Sequence, residues 1–216
     1  MDVLIIGAGG HGRVVLDIIR AGNKYTPVGF LDADAALLGR EISGVPVLGA
    51  VNLLPRLKAQ QRIRAAVVAI GDSRVRRSYA KLVEDAGVEL LTVIHPGATI
   101  SATANIGRNV VIAAGACVCT DAQIGESVII NTGAVVDHEC EIGVATHICP
   151  GALLAGRVRI GSGVFVGLGA KVIQCVTVGD EATIGAGAVV LSDVPPHATV
   201  VGVPARMIKS LTRAAG

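Results

Sequence analysis

One histidine of this sequence stands in a setting that suits acid–base chemistry. His138 is preceded by Asp137 and followed by Glu139. Imidazole titrates near neutral pH, and a neighbouring carboxylate can fix its tautomer and stabilise its protonated form. The pattern therefore indicates a general base that takes a proton from a nucleophile. A surface histidine without a catalytic role is the alternative interpretation.

A second candidate site is a glycine-rich segment near the N-terminus. The apolar run 3–6 leads into GAGGHG at residues 7–12 and then into a helical pattern, and a second apolar run ends at residue 32. In this setting, glycines let backbone N–H groups approach a diphosphate, and the acid binds a ribose hydroxyl. A third apolar run ends at residue 70. The predicted binding residues are Gly9, Gly10, His11, Gly12, Asp32 and Gly71.

The length of this first part limits its ligand. About 90 residues have room for one mononucleotide-binding half rather than two, so a nucleotide-diphosphate sugar fits better than NAD. Two alternatives stay open: the glycines only permit close packing of a strand against a helix, and His11 only caps that helix.

The elements that must hold His138 follow from a six-residue repeat. Counting in sixes from Ile94 to Val190 gives 17 aliphatic residues without insertion or deletion, and the fourth place after each is small or Val. This pattern predicts a solenoid of short parallel strands, in which three walls form an 18-residue coil. Glycine is frequent directly after the aliphatic residue, so we expect the corners, with positive φ, at that place.

The coil length brings a glycine to the histidine. Gly156 follows His138 by 18 positions, so it lies directly above it, one coil further on. His138 is not at an inward position, and its side chain projects from the wall. A backbone donor for a developing oxyanion thus lies beside a base, which is the pairing that acyl transfer needs.

The outward columns of the solenoid predict assembly. One column is polar and should face water, whereas two are largely apolar and would leave exposed stripes on a monomer. We expect the apolar columns to pack against sister chains in a homotrimer. The polar column is Asn105, Gln123, Glu141, Arg159 and Thr177, and the apolar columns are Val111, Ile129, His147, Phe165, Thr183 and Cys117, Val135, Leu153, Lys171, Val189.

Composition excludes several classes of protein. The 216 residues carry a net charge of +2 without basic tracts, and aromatic residues make up 2%, so a nucleic-acid-binding surface is not expected. No apolar run approaches the ~18 residues of a membrane span, and the N-terminus does not read as a signal peptide. The five cysteines form no CxxC pair, which predicts reduced thiols in a cytoplasmic protein.

The order of these motifs resembles the acetyl-CoA-dependent sugar acyltransferases. GAGGHG is followed by the repeat region, which carries Asn131 and DHEC at 137–140, and then by GVPAR at 202–206. The chain is most similar to N-acetyltransferases of nucleotide-linked 4-aminosugars of the bacillosamine and perosamine type, and sialic-acid O-acetyltransferases share the plan. The resemblance implies an α/β Rossmann-like domain (1–92), an all-β left-handed parallel β-helix (93–195) and a C-terminal tail (196–216) that closes the helix end.

The resemblance also implies roles for single residues. Its catalytic residues map onto His138, Glu139 and Asn131. Two alternatives remain: Asn131 could equally hold a left-handed corner, and His147, near the acetyl group in the family, could only cap a hydrogen bond at an interface. Two departures from the family pattern, Ala33 after the acid and Ser73 after Gly-Asp, leave the base or ribose contact in question. The implied acetyl-CoA-binding residues are His147, Gly156, Gly167 and Gly185.

The implied reaction moves acetyl from acetyl-CoA to the 4-amino group of a nucleotide-linked aminosugar, without a metal, for bacterial glycan biosynthesis. The sugar amine attacks the thioester directly, with sites between subunits. The CoA arm would run past Gly156 to the segment 202–206, where Lys171, Arg206 and Lys209 could meet its phosphates. O-acetylation of a sugar hydroxyl, such as a sialic acid, is the alternative, because one histidine base serves both nucleophiles. A zinc lyase and a non-catalytic sugar-nucleotide module are the other classes.

Overall fold

The computed structural model describes residues 1–60 and 63–210, with side chains as far as residue 208. The side chain of Lys209 and residues 211–216 of the predicted tail lie outside this part. Two compact units make up the chain: Met1–Pro96 with Arg108–Val111, and Gly97–Gly107 with Ile112–Gly216. The boundaries at residues 92 and 195 stay predictions.

The first unit is an α/β fold around one mixed sheet. Its strands lie in the order β3-β4-β2-β1-β5-β6, and all neighbours are parallel except β3 and β4. The bounds are β1 (Asp2–Ile6), α1 (Gly10–Gly22), β2 (Thr26–Leu31), β3 (Glu41–Ile42), β4 (Val45–Gly49), α2 (Leu54–Ala59), β5 (Ala65–Val68), α3 (Ser73–Asp85) and β6 (Glu89–Leu90).

The central strands of this sheet are apolar throughout because both faces are covered. The residues 3–6 and 65–68 have no exposed surface, and continuous aliphatic runs of this kind are typical of buried parallel strands. The strand order changes direction at β1, between β2 and β5. In such sheets the crevice outside the carboxyl ends of these strands is where ligands bind.

The second unit is the predicted parallel β-helix. From Thr99 to Val190 its strands are two residues long, and each pairs in register with the strand 18 positions away. Within this unit the first wall is Ile129–Ile130, His147–Ile148, Phe165–Val166, Thr183–Ile184 and Ala198–Val201. The second wall is Thr99–Ile100, Cys117–Val118, Val135–Val136, Leu153–Leu154, Lys171–Val172 and Val189–Val190. The third wall is Asn105–Ile106, Gln123–Ile124, Glu141–Ile142, Arg159–Ile160 and Thr177–Val178.

Two further short strands, Val93–Ile94 and Val111–Ile112, form near the beginning of the repeat region. At its other end, Ala198–Val201 also pairs with the antiparallel strand Arg206–Ser210. The inward column alternates aliphatic and small residues as predicted, and from Ile112 to Val190 every sixth residue is buried.

The prediction that the residue directly after each aliphatic one turns the corner with positive φ is wrong. Positive φ occurs three places after the aliphatic residue, for example at Asn109, Gly133 and Glu139. The glycines directly after the aliphatic residues serve coil stacking instead. A Cβ on Gly143 would lie 2.5 Å from the carbonyl carbon of Gly161, one coil further on. Close approach of backbone, rather than a left-handed conformation, therefore requires glycine there.

The outward columns differ in exposure. The polar column on the third wall is exposed along its length, as predicted. Leu153 and Phe165 are 40% and 43% exposed. Val111 and Ile129, which we expected on an exposed stripe, are instead fully buried within the chain itself. The exposed apolar surface is therefore shorter than the sequence pattern suggested.

Candidate active site

The His138 imidazole is held by the carboxylate that follows it in the chain. Its Nδ1 lies 3.0 Å from Glu139 Oε2, and both side chains are about half exposed. When Nδ1–H donates to this carboxylate, the lone pair is on Nε2, which is then the basic atom.

The corner between the second and third walls positions this pair. The His138 backbone N–H donates to Asp137 Oδ1 at 2.7 Å, and Glu139 turns the corner with φ +55. One coil further on, the Arg157 N–H donates to the His138 carbonyl at 2.9 Å. The corner is thus fixed both within the coil and from the next one.

Gly156 lies against the His138 ring. A Cβ on Gly156 would overlap Nε2 and would stand 2.5 Å from Cε1 of the imidazole. Gly156 is a buried residue, and its N–H donates no hydrogen bond to any residue that the structure describes. A basic nitrogen and a free backbone donor thus stand side by side, as the 18-residue spacing predicts.

Asn131 and His147 form a separate pair. Asn131 Oδ1 accepts the Thr132 N–H at 2.8 Å, so the amide nitrogen faces His147 Nε2 at 3.2 Å. An amide donor makes Nε2 an acceptor and places the ring proton on Nδ1. The His147 ring also meets the Phe165 ring edge-on, with centroids 5.5 Å apart. Asn131 does not have positive φ, so the interpretation of Asn131 as a left-handed corner is wrong.

Within a single chain, one wall separates the pair Asn131 and His147 from the pair His138 and Gly156. Asn131 lies where the first wall turns into the second, and His138 lies where the second turns into the third, with the strand Val135–Val136 between them. Gly167 and Gly185 stack above Asn131 at the same corner, two and three coils further on. A Cβ on Gly167 would lie 2.6 Å from the backbone nitrogen of Ala186, and a Cβ on Gly185 would lie 2.7 Å from Cγ1 of Val201, so both positions are crowded.

The glycine segment forms the turn from β1 to α1. Gly7 has φ +105, and a Cβ on Gly12 would overlap the Gly7 carbonyl oxygen, so these two glycines close the turn. Asp32 Oδ2 accepts the Ala8 N–H at 2.6 Å, and Oδ1 accepts the Asp34 N–H at 2.8 Å. The carboxylate thus orders the turn.

Five of the six predicted binding residues line one cavity of about 340 Å³ at the carboxyl ends of β1, β2 and β5. These five are Gly9, Gly10, His11, Asp32 and Gly71. The sixth, Gly12, packs beneath the turn. Side chains on Gly9, Gly10 and Gly71 would meet no atom within 4 Å, so the backbone there is open to a ligand. The N-cap of α1 is Gly9, with no side-chain hydrogen bond, so helix capping does not explain His11.

Burial sets the charge of His11. Desolvation, with a smaller effect from the Arg76 cation, lowers the pKa of His11 from 6.5 to about 4, so the ring is neutral at pH 7. Arg76 itself has no exposed surface, and its burial lowers the pKa of the guanidinium to about 10, so it remains charged. The cavity therefore has a neutral imidazole and a fixed cation beside it.

Two of the cysteines, Cys119 and Cys149, lack the character of nucleophiles. Burial, followed by the neighbouring Cys117, raises the pKa of Cys119 to about 11, and burial raises that of Cys149 to about 11. Thiols with such pKa values are protonated at neutral pH.

Across residues 1–60 and 63–210, no three His, Cys, Asp or Glu side chains are grouped as metal ligands would be. None of the helices in these ranges is long and apolar enough to cross a membrane.

Sequence reasoning missed several residues of the cavity. Val75, Tyr79 and Ile70 line it, and Arg76 lies behind it. One signal was available for Arg76, because the buried face of α3 is formed by residues 76, 80 and 83. A charged residue at a buried-face position of an amphipathic helix indicates a specific partner.

Comparisons with known proteins agree with both units. Residues 2–83 match the family model of the PglD N-terminal domain. A curated protein of Bacillus subtilis (strain 168), UDP-N-acetylbacillosamine N-acetyltransferase, is 37% identical over 113 residues, which cover 51% of this chain and 50% of that protein. The chain thus spans about half the length of this curated relative.

Two groups of solved structures are similar over nearly the whole chain. One is a histidine-to-alanine variant of GDP-perosamine N-acetyltransferase from Caulobacter crescentus, in complex with CoA and GDP-perosamine. It is 41% identical, with a TM-score of 0.93, and the match covers 97% of this chain and 98% of that chain. The acetyltransferase domain of PglB from Neisseria gonorrhoeae FA1090, with acetyl coenzyme A, is 39% identical, with a TM-score of 0.89, and 96% and 98% covered.

Proposed function

Since the chain belongs to the family of nucleotide-aminosugar N-acetyltransferases, we propose that it transfers the acetyl group of acetyl-CoA to the 4-amino group of a nucleotide-linked aminosugar. The observation that carries this proposal is the pairing of His138 Nε2 with the free N–H of Gly156. In the similar Caulobacter enzyme, CoA and GDP-perosamine are bound together, which supports the same pair of substrates here.

The chemistry follows from the two groups at this corner. The neutral sugar amine attacks the thioester carbonyl, and the Gly156 N–H donates to the oxygen as it becomes negative. His138 Nε2 takes the proton that the attacking nitrogen loses and returns a proton to the departing CoA thiolate. The C–S bond breaks, an amide forms and free CoA leaves. Glu139 holds the ring and stabilises its charged form.

The first unit supplies the sugar-nucleotide site in this proposal. The backbone around Gly9, Gly10 and Gly71 takes the diphosphate, and His11 and Asp32 contact the ligand. Asp32 already accepts two backbone hydrogen bonds, so its contact with a ribose would use the remaining lone pairs. The protein would act in the cytoplasm, in agreement with five free thiols.

We also propose that the enzyme is a homotrimer with an active site between adjacent subunits. Asn131 and His147 lie one wall away from His138 within a chain, so a neighbouring chain would bring them to the same acetyl group. The exposed Leu153 and Phe165 support an apolar interface. His147, Gly156, Gly167 and Gly185 would border the CoA arm in the groove between two chains, with Lys171 and Arg206 near its phosphates.

The test is thiol release from acetyl-CoA, followed with a chromogenic reagent against UDP-, GDP- and dTDP-linked 4-aminosugars. We expect turnover with one of them and a loss of 10²–10⁴-fold in kcat for His138→Asn, roughly the contribution of a general base. His197→Asn is the matched control, because His197 is an exposed histidine at another left-handed corner. Turnover only with sugar hydroxyls would make the enzyme an O-acetyltransferase. Equal activity of both variants would remove His138 from the mechanism.

A further inference from the structure

The fully buried Arg76 is a charged group that the proposed reaction does not use. Its side chain has no exposed surface, although burying a guanidinium costs several kcal/mol unless it is well paired. Arg76 Nη1 donates to the carbonyl oxygens of Ile70 and Gly71, both at 2.7 Å. One buried cation thus binds two consecutive peptide groups at the carboxyl end of β5.

These two carbonyls determine where the adjacent N–H groups point. In a planar trans peptide, the C=O and the N–H point in opposite directions. Because both carbonyls converge on Nη1, the N–H groups of Gly71 and Asp72 point away from Arg76. Neither donates to any residue of the described ranges, and both residues are exposed. Two successive free N–H groups that point the same way can donate together to one anion.

Gly71 brings the first of these N–H groups to the cavity of the glycine turn. Ile70 and Gly71 line this cavity together with Gly9 and Gly10, and a Cβ on Gly71 would meet no atom within 4 Å. Asp72 is the next residue along the chain. Without Arg76, the two carbonyl dipoles would be free to turn their negative ends toward a bound diphosphate. The same cation helps to keep His11 neutral, so the ring can offer hydrogen bonds there without adding a titrating charge.

We propose that Arg76 is the positioning residue of the diphosphate subsite, holding the Ile70 and Gly71 carbonyls inward so that the Gly71 and Asp72 N–H groups bind a phosphate. The Gly71 and Asp72 N–H groups recognise the diphosphate and do not contact the base of the nucleotide. The inference rests on the proposed function, because it assigns a part of the same sugar-nucleotide site.

The first experiment uses the unaltered protein and inorganic pyrophosphate as the probe. We expect the amide resonances of Gly71 and Asp72 to shift on titration, together with those of Gly9 and Gly10. Shifts at the glycine turn without any at Gly71 and Asp72 would overturn the inference. This measurement needs no catalysis. Acetyl transfer without those shifts would contradict the inference alone, and pyrophosphate binding without acetyl transfer would contradict only the proposed function.

The second experiment compares Arg76→Met and Arg76→Lys with Arg77→Met, its neighbour on α3. Calorimetry should show that Arg76→Met weakens binding of GDP or UDP by roughly 10–100-fold, as expected when N–H groups no longer donate to a charged ligand. Binding of guanosine or uridine and the KM for acetyl-CoA should not change. Arg76→Lys should recover part of the affinity, and the pKa of His11 in Arg76→Met should rise from about 4. An equal loss of nucleoside and diphosphate binding would mean a purely structural role and overturn the inference.

Discussion

At the scale of single residues, the candidate active site depends on which side chains are missing as much as on which are present. His138 can lie over Gly156 only because that residue has no Cβ, and Glu139 fixes the ring from the other side. The arrangement joins a half-exposed base, which a substrate can reach, to a backbone N–H that donates to no residue of the described ranges. Both properties are needed for proton transfer and oxyanion stabilisation at one place.

The variant Gly156→Ala tests this contact. The new methyl group would overlap the imidazole, so we expect the ring to move and kcat to fall by about 10²-fold or more, the usual cost of a lost oxyanion donor or base. Steady-state kinetics of acetyl transfer measure the effect. Gly22→Ala is the control, because a Cβ there meets no atom within 4 Å. Full activity of Gly156→Ala would mean that His138 does not act as the base from its position beside Gly156.

His11 predicts a pH dependence of stability. Its pKa is lowered in the folded protein from 6.5 to about 4, chiefly by burial. Between these values the unfolded chain binds the proton and the folded one does not, so the free energy of unfolding must fall as pH falls from 6.5 to 4. The loss is at most roughly 3–4 kcal/mol.

Urea unfolding of the wild type and His11→Gln at pH 7.5 and pH 4.5 isolates this effect, because all other titrating groups are shared. The wild type should lose more stability than the variant over this interval. An equal loss in both proteins would show that His11 is already protonated in the fold. His197→Asn, at an exposed histidine, should behave as the wild type.

At the scale of elements, two classes of glycine hold the β-helix for different physical reasons. Gly187 has φ +68 with open space around it, whereas a Cβ on Gly143 would overlap the backbone of the next coil. The first class is needed for conformation and the second for coil spacing. The strands of two residues contribute little by themselves, so stability depends on the repeated stacking of coils.

The same substitution at both glycines separates these reasons. Asn adopts left-handed backbone readily, so Gly187→Asn should change the thermal midpoint by no more than a few degrees. Gly143→Asn should lower it by about 5 °C or more, because the backbones of two coils must separate. Circular dichroism melting curves measure both. Equal midpoints would mean that the coils can separate at no cost.

At the scale of the whole molecule, the proposed trimer predicts complementation between two inactive variants. If His138 of one chain works with Asn131 and His147 of its neighbour, co-expressed His138→Ala and His147→Ala chains must form some intact sites. Random assembly restores about a quarter of the sites. Mixed trimers should therefore regain up to that share of wild-type activity, while each variant alone stays impaired. Sedimentation should give three times the mass of one chain.

Absence of recovery in mixed trimers of proven composition would place each complete site within one chain. A monomeric mass would remove the trimer altogether. Leu153→Glu gives an independent check, because a charge on this exposed position of the second wall should dissociate the assembly. Arg159→Glu, on the exposed polar wall, is the matched control and should leave the mass unchanged.

The sequence by itself determined the structural features that depend on the repeat period and on the spacing of residues along the chain. An uninterrupted six-residue repeat requires coils of 18 residues, and this spacing alone puts Gly156 beside His138. The glycine motif between an apolar run and a helical pattern likewise locates the turn from β1 to α1, because the local chain direction is fixed over a few residues.

Only the tertiary structure decided which atoms meet across larger separations. The sequence pattern assigned the corner to the wrong glycines, because positive φ and close backbone approach both favour residues without a side chain. The family resemblance grouped Asn131 with His138 as catalytic residues, and the structure adds that within one chain a wall separates them and that Asn131 contacts His147. The sequence pattern gave Arg76 no role, because the carbonyls that a buried guanidinium binds become known only when β5 and α3 are packed together.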